Sequence, residues 1–364
     1  MTAPAPALAP SLGPAPVPAP AGPLGEGVRE LLAGTPHRDL DAALPFTLPA
    51  GLRAALEELP ADRGLLADLD AQRTFFTVQE LAYRGLVGVD PDWNEHPGVA
   101  AVRLLLGDAV EAAIRDRVGP VEPLGEDDPV ARLRTELDAV DSPSLSSHLA
   151  REGTVGHYRD LVRFRSLYHL READPHSAAL AWITGPAKSA LAEIQNDEYG
   201  CGRGRRMHST LFADTMRALD LDDSYGAHVE DAPAVVLAWS NAMTLFASRR
   251  RLRGALVGHL AALESTSSLP NRRYADGLER LGFGPEASLY FSEHVEADAV
   301  HEQVALHGMV APLVRAEPGL MPDVVVGFRA ALHLDADVGR HLLAAWEAGR
   351  TGCDGPLTGP TIGS

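Results

Sequence analysis

The sequence predicts an all-α protein, and three observations carry that expectation. Alanine and leucine dominate the apolar residues, and both are strong helix formers. Apolar side chains recur three and four positions apart along the longer segments, as one face of a helix requires. No stretch sustains the alternation of a half-buried strand. With 364 residues and a hydrophobic content of 45%, the chain can bury one large core or two modest ones.

Taken in order, residues 1–24 are rich in alanine and proline and read as a disordered or polyproline-like tail. They lack the basic start and continuous apolar run of a signal peptide. Residues 25–125 read as an N-terminal helical extension interrupted by prolines. Helices are clearest at 77–86 and 99–118, where Val102, Leu105, Leu106, Val110 and Ala113 form one stripe. Glu80 and His96 have no ligand spacing and read as surface or capping residues. The segment 119–129, with Pro120, Pro123 and Gly125, reads as a linker.

Residues 126–350 form the predicted bundle. Helices are expected at 132–140, 155–173, 186–199, 207–219, 232–264, 285–309, 323–332 and 336–348. Pro175 breaks the second, and Pro186 suits a first helical turn. Pro270 and Gly282 punctuate the stretch before the helix at 285. Residues 351–364 read as a second disordered tail. The longest apolar run, 232–247, contains Ser240 and Asn241 and is too short to span a membrane.

The net charge of −18 opposes a nucleic-acid partner, which needs a basic surface. The run Arg249-Arg250-Arg251-Leu252-Arg253 reads as solvated charge on a helix face. Cys201 and Cys353 give no disulfide framework and fit a reducing cytoplasm.

Chemistry concentrates in three segments. His294, Asp298 and His301 stand at i, i+4 and i+7, so a helix projects them from one face. Two imidazoles and a carboxylate suit a first-row metal, iron in particular, and leave positions open for oxygen. Glu198 and His208 flank a loop with glycine at 200, 202 and 204. Unbroken helix would hold them roughly 15 Å apart along its axis, but the glycines predict a break that folds His208 back. Glu172 lies near the end of the helix before Pro175, with Glu152 and Glu193 as alternatives.

A glutamate, then DEYG-G with a histidine ten residues after its glutamate, then H-x3-D-x2-H, resembles the heme-oxygenase-like di-iron oxidases, the iron-containing redox enzymes. The resemblance covers roughly residues 150–348. It implies a heme-oxygenase-like bundle and a ligand set of Glu172, Glu198, His208, His294, Asp298 and His301. It also implies two Fe(II)/Fe(III) ions, with O2 as co-substrate. Three carboxylates against two ferrous ions leave a net charge of about +1. No glutamate is followed by a histidine three residues on, which opposes the ferritin-like alternative.

Members of this family oxygenate amine nitrogens, cleave amino acids or decarboxylate fatty acids, so the resemblance leaves the reaction open. A small-molecule substrate, a homodimer and a ferredoxin-type reductant are the expected partners. Arg205, Arg206, Arg272 and Arg273 are candidate anchors for a substrate carboxylate. Two rival readings are a metal-free enzyme of the same fold, thiaminase-like or a cofactor-free oxidase, and a non-catalytic helical binding protein. Glu264 reads as a helix-end carboxylate, with a substrate contact or an extra ligand as the alternative. Tyr168, Tyr199 and Tyr290 read as packed tyrosines close to the ligands. His169, His176 and His259 read as structural or surface residues.

Overall fold

The computed structural model describes residues 13–36, 46–60, 62–122 and 128–353, apart from the side chains of residues 296–299. The expected all-α class holds. Among the described residues no strand exceeds an isolated bridge.

Among the described residues four α-helices precede the bundle: α1 (Pro23–Leu32), α2 (Ala50–Glu57), α3 (Leu69–Tyr83) and α4 (Pro97–Val118). Local chemistry sets where they begin. Asp68 caps α3 by accepting from the Ala71 N–H, and the His96 ring accepts from the Gly98 N–H at the start of α4. The Asp70 carboxylate accepts from the N–H groups of Leu24 and Gly25 at 2.8 and 2.9 Å, which seats the start of α1.

The described part of the predicted N-terminal tail is packed, not disordered. Ala15 is fully buried. Its N–H donates to Gly85 O, and its carbonyl accepts from Val87 N–H. Small apolar residues and proline cannot build a core themselves, but in an extended form they can cover one. Residues 1–12 and 354–364, the rest of the two predicted tails, lie outside the described residues, as do 123–127 of the predicted linker.

The bundle comprises α5 (Pro129–Asp138), α6 (Leu145–Glu152), α7 (Val155–His169), α8 (Gly185–Glu198), α9 (His208–Ala218), α10 (Ala234–Ser248), α11 (Arg253–Thr266), α12 (Ser268–Arg280), α13 (Pro285–Gln303), α14 (Ala311–Ala316) and α15 (Met321–Glu347). Thr154 opens α7 with a capping box. A π-helical segment, Val304–Val310, continues α13, a departure that recurs at functional sites.

Two helix expectations need correction. The predicted helix 232–264 is two helices, α10 and α11, broken at the arginine run. Conversely, the predicted helices 323–332 and 336–348 are one, since His333, Leu334 and Asp335 contain no helix breaker. The arginine run is also more than solvated charge. Arg249 donates to Leu104 O at 2.9 Å and pairs with Asp108, while Arg251 pairs with Glu111, both acids on α4. Arg253 pairs with Glu317.

Glu80 is not a surface residue either. It is 1% exposed and accepts a 2.7 Å hydrogen bond from Tyr225. One contiguous apolar core runs from Ala15 to Trp346. At its tightest crossing, α11 meets α15: a Cβ on Gly258 would lie 1.9 Å from Val324 O, and one on Gly327 1.8 Å from Ala255 O. Glycine is required at both positions, and this crossing fixes α11, which carries Glu264.

Candidate metal centre

Each described candidate ligand sits where a helix ends or faces inward. Glu172 follows α7 in a turn, beside Ala173, whose φ of 72° lies in the left-handed region. Gln195 of α8 holds that turn by donating to Ala173 O at 2.8 Å. Glu198 is the last residue of α8, and His208 is the first of α9. Between them the chain reverses at Gly200, where φ is 71° and a Cβ would fall 2.6 Å from the Arg206 carbonyl carbon. The fold-back places His208 Nδ1 2.7 Å from Glu198 Oε2. His294 and His301 project from α13 into the same space.

Among the described residues two groups could hold metal ions. Glu172, Glu198, His208 and His294 form one, and Glu198, Glu264 and His301 form the other; within each group one ligand atom per residue lies within 4.8 Å of the rest. Glu198 belongs to both. In the first group, His208 Nδ1 is 3.1 Å from His294 Nε2, which is 3.6 Å from Glu172 Oε1. In the second, His301 Nδ1 is 3.4 Å from Glu264 Oε2 and 3.8 Å from Glu198 Oε1. Five of the six predicted ligands therefore converge: Glu172, Glu198, His208, His294 and His301. Asp298 lies on α13, but its side chain is outside the described residues.

The surroundings orient these groups. Tyr290 donates to both oxygens of Glu172 at 2.9 Å, and His169 Nδ1 lies 3.2 Å from Oε1. Burial alone would push the Glu172 carboxyl up, yet the adjacent His169 and His294 rings hold it well below the usual carboxylate range. Burial, and then the Glu172 carboxylate, raises the Tyr290 phenol well above its ordinary value, so it remains a donor. His294 Nδ1 donates to Tyr290 O at 2.8 Å, which turns Nε2 inward toward Glu172 and His208. Burial would lower the His301 imidazole, but its bond to Glu264 and the nearby Asp197 and Glu198 raise it to about 9.

A metal fits this donor set. Glu198 Oε2 is buried and accepts no hydrogen bond, although an imidazole nitrogen is 2.7 Å away. A buried acceptor left so is costly in a metal-free protein and natural for a ligand atom. Three carboxylates, three imidazoles and no thiolate favour iron over a structural zinc site.

Glu264, Tyr290 and His169 were underweighted in the sequence. Glu264 is 7% exposed and continues the buried stripe of Val257 and Ala261, so a charge on an apolar face was the available signal. Tyr290 lies four residues before His294, one turn away on the same face. His176 and His259 are buried and pair with each other at 3.2 Å, apart from both groups. Cys201 is exposed, and its hydrogen bond to Asp197 raises the thiol, opposing a nucleophilic role.

A cavity of about 510 Å³ leads to the first group. Its floor includes Glu172, Glu198 and His294, its walls Phe212, Trp239 and Leu260, and its outer end the exposed Ser142, Ser144 and Leu269. Volume and lining suit a small organic molecule.

A helical bundle that converges carboxylates and histidines from the turn after α7 and from α8, α9, α11 and α13 at the floor of a cavity has the make-up of a metal-dependent redox protein. Residues 159–336 match the family model of iron-containing redox enzymes. The matched segment holds every candidate ligand, and the expected heme-oxygenase-like bundle stands with it. Over 169 residues the chain is also 32% identical to a nitrosourea synthase of Streptomyces achromogenes subsp. streptozoticus. That stretch is 46% of this chain and 36% of the relative, so the chain spans about a third of the relative's length. No helix among the described residues is long and apolar enough to cross a membrane.

Proposed function

We propose that the protein is an O2-activating non-heme di-iron oxidase or oxygenase acting on a small molecule. The observation that carries this reading is the pair of carboxylate–histidine groups that have Glu198 in common; each group would hold one ion, and Glu198 would be available to both. When bound, the two ferrous ions supply the two electrons that reduce O2.

The chain's own residues do the rest. Tyr290 and His169 hold Glu172 in one orientation, and the Tyr290 carbonyl fixes the His294 tautomer. Phe212, Trp239 and Leu260 keep bulk water from the inner end of the cavity. The relative's named product carries oxidised nitrogen, which makes N-oxygenation the first reaction to test, ahead of C–C cleavage or decarboxylation. Reducing equivalents would come from a ferredoxin-type protein, and a homodimer is the proposed assembly.

Anaerobic loading with ferrous iron tests the reading directly. Two irons per chain, followed by a transient visible absorption on mixing with O2, is the expected result. No bound iron would favour the metal-free enzyme, and non-stoichiometric iron would favour a binding module.

A further inference from the structure

The cavity is unevenly charged along its length. At its floor, Glu172, Glu198 and Glu264 face the candidate metal positions. On the wall, Arg165 is neutralised by its ion pair with Asp335 and lies over the Trp239 ring, 4.6 Å from its centroid. Among the described residues that line the cavity, one cation is left over. Arg273, half-buried on α12, bonds through Nη1 to Ser144 Oγ at 3.2 Å and Ser146 Oγ at 3.4 Å, and pairs with no carboxylate among the described residues. Of the arginines considered as anchors, only Arg273 lines the cavity. Arg206 pairs with Glu293, and Arg205 and Arg272 are exposed.

In a chain of net charge −18, a cavity-lining guanidinium partnered only by two hydroxyls is a poor arrangement unless an anion completes it. We infer that the cavity takes a small monocarboxylate, its carboxylate on Arg273 and its body along Trp239 and Phe212 toward Glu172 and His294. This deepens the proposed function, on which it rests for the chemistry at the floor. A single uncompensated cation matches a single negative charge. A dianionic phosphate would lack a second cation and would face three carboxylates at the floor.

The test is binding by the full chain, iron-free and after anaerobic ferrous loading, measured by equilibrium dialysis. The probes are phenylbutyrate, phenylbutyramide and phenylbutylphosphonate. Phenylbutyrate should bind about tenfold to a hundredfold tighter than the amide, the range of a charge-assisted hydrogen bond. Arg273→Gln should abolish that preference, Arg273→Lys should retain part of it, and Arg272→Gln should leave it intact. If Arg273→Gln fails to fold by circular dichroism, the Ser144→Ala/Ser146→Ala chain should still show a reduced preference.

The inference is overturned by equal binding of acid and amide or by a preference that survives Arg273→Gln. It is equally overturned by no detectable binding of phenylbutyrate at millimolar concentration, or by a phosphonate that outbinds the carboxylate. Iron counted in the same samples separates the two readings. An Arg273-dependent preference in a chain that takes no iron would keep the anion site and end the di-iron proposal. Two irons without the preference would do the reverse.

Discussion

The two halves of the candidate metal centre share Glu198 but are supported differently. Around Glu172, His208 and His294 the orienting groups are buried and numerous: Tyr290 holds both carboxylate oxygens, and a backbone carbonyl fixes His294. Around His301 the support is largely other carboxylates. Its Nε2 lies 3.1 Å from Asp197, which is 44% exposed, and its Nδ1 faces Glu264. Rigid positioning favours tight, selective metal binding, whereas a half supported mainly by repelling carboxylates, one of them the half-exposed Asp197, favours an ion that exchanges. On the di-iron reading, one iron should therefore bind firmly and the other more loosely.

The largest effect should come from the shared residue. Glu198→Gln keeps the volume but removes the carboxylate common to both groups, so both irons of the proposed centre should weaken by more than the roughly hundredfold typical of an outer-shell change. Its buried Oε2 accepts no hydrogen bond in the metal-free protein, which is a cost, so the metal-free melting temperature should hold or rise. Iron per chain and a thermal melt check both. Retention of one full iron would mean the halves are independent and Glu198 is not shared.

Next comes the loop. Gly200→Ala imposes a left-handed φ on alanine, costing roughly 1–2 kcal/mol, and adds a carbon 2.6 Å from the Met207 nitrogen. His208 should move, the first iron should be lost, and the iron at His301 should persist. Gly204→Ala should be silent, because its φ is ordinary and nothing lies within 4 Å of the added carbon. Equal effects of the two changes on iron affinity would make the loop a plain connector.

The contrast between the halves also tracks what the sequence could express. His294 and His301 were legible because helical phase is local, and the break after Glu198 was legible because glycines are. Glu264 was not, since α11 comes from a distant segment, and only its packing against α15 brings the carboxylate to His301. The arginine run failed for the same reason. Its neighbours in sequence look like a helix face, while its partners Asp108 and Glu111 lie more than a hundred residues away. The proline-rich segment around Ala15 packs although its composition suggests disorder, because composition reports whether a segment can form a core, not whether it can cover one.

Glu264→Gln should sharpen the comparison. Removing one charge from the His301 half should weaken one iron about tenfold to a hundredfold and leave the other unchanged, read as a split in a two-site titration. Two irons of unchanged affinity would return Glu264 to a substrate contact or a helix-end role, and would shift the burden of that half to Asp298.

Tyr290→Phe should give the smallest effect and the most diagnostic one. The ring makes edge contacts with Phe212 and Phe291, and phenylalanine preserves them, so packing is unchanged. Only the hydroxyl is lost, and with it the donor to both Glu172 oxygens. The metal-free protein should lose about 1–3 kcal/mol, because a buried carboxylate is left short of a partner. Iron in the His294 half should weaken roughly tenfold, as an orienting contact predicts, and iron in the His301 half should not change. If Tyr290 merely fills space, neither the denaturation midpoint nor the iron titration will move. If both irons weaken together, the halves are coupled through Glu198 strongly enough that the difference in their surroundings does not set their affinities.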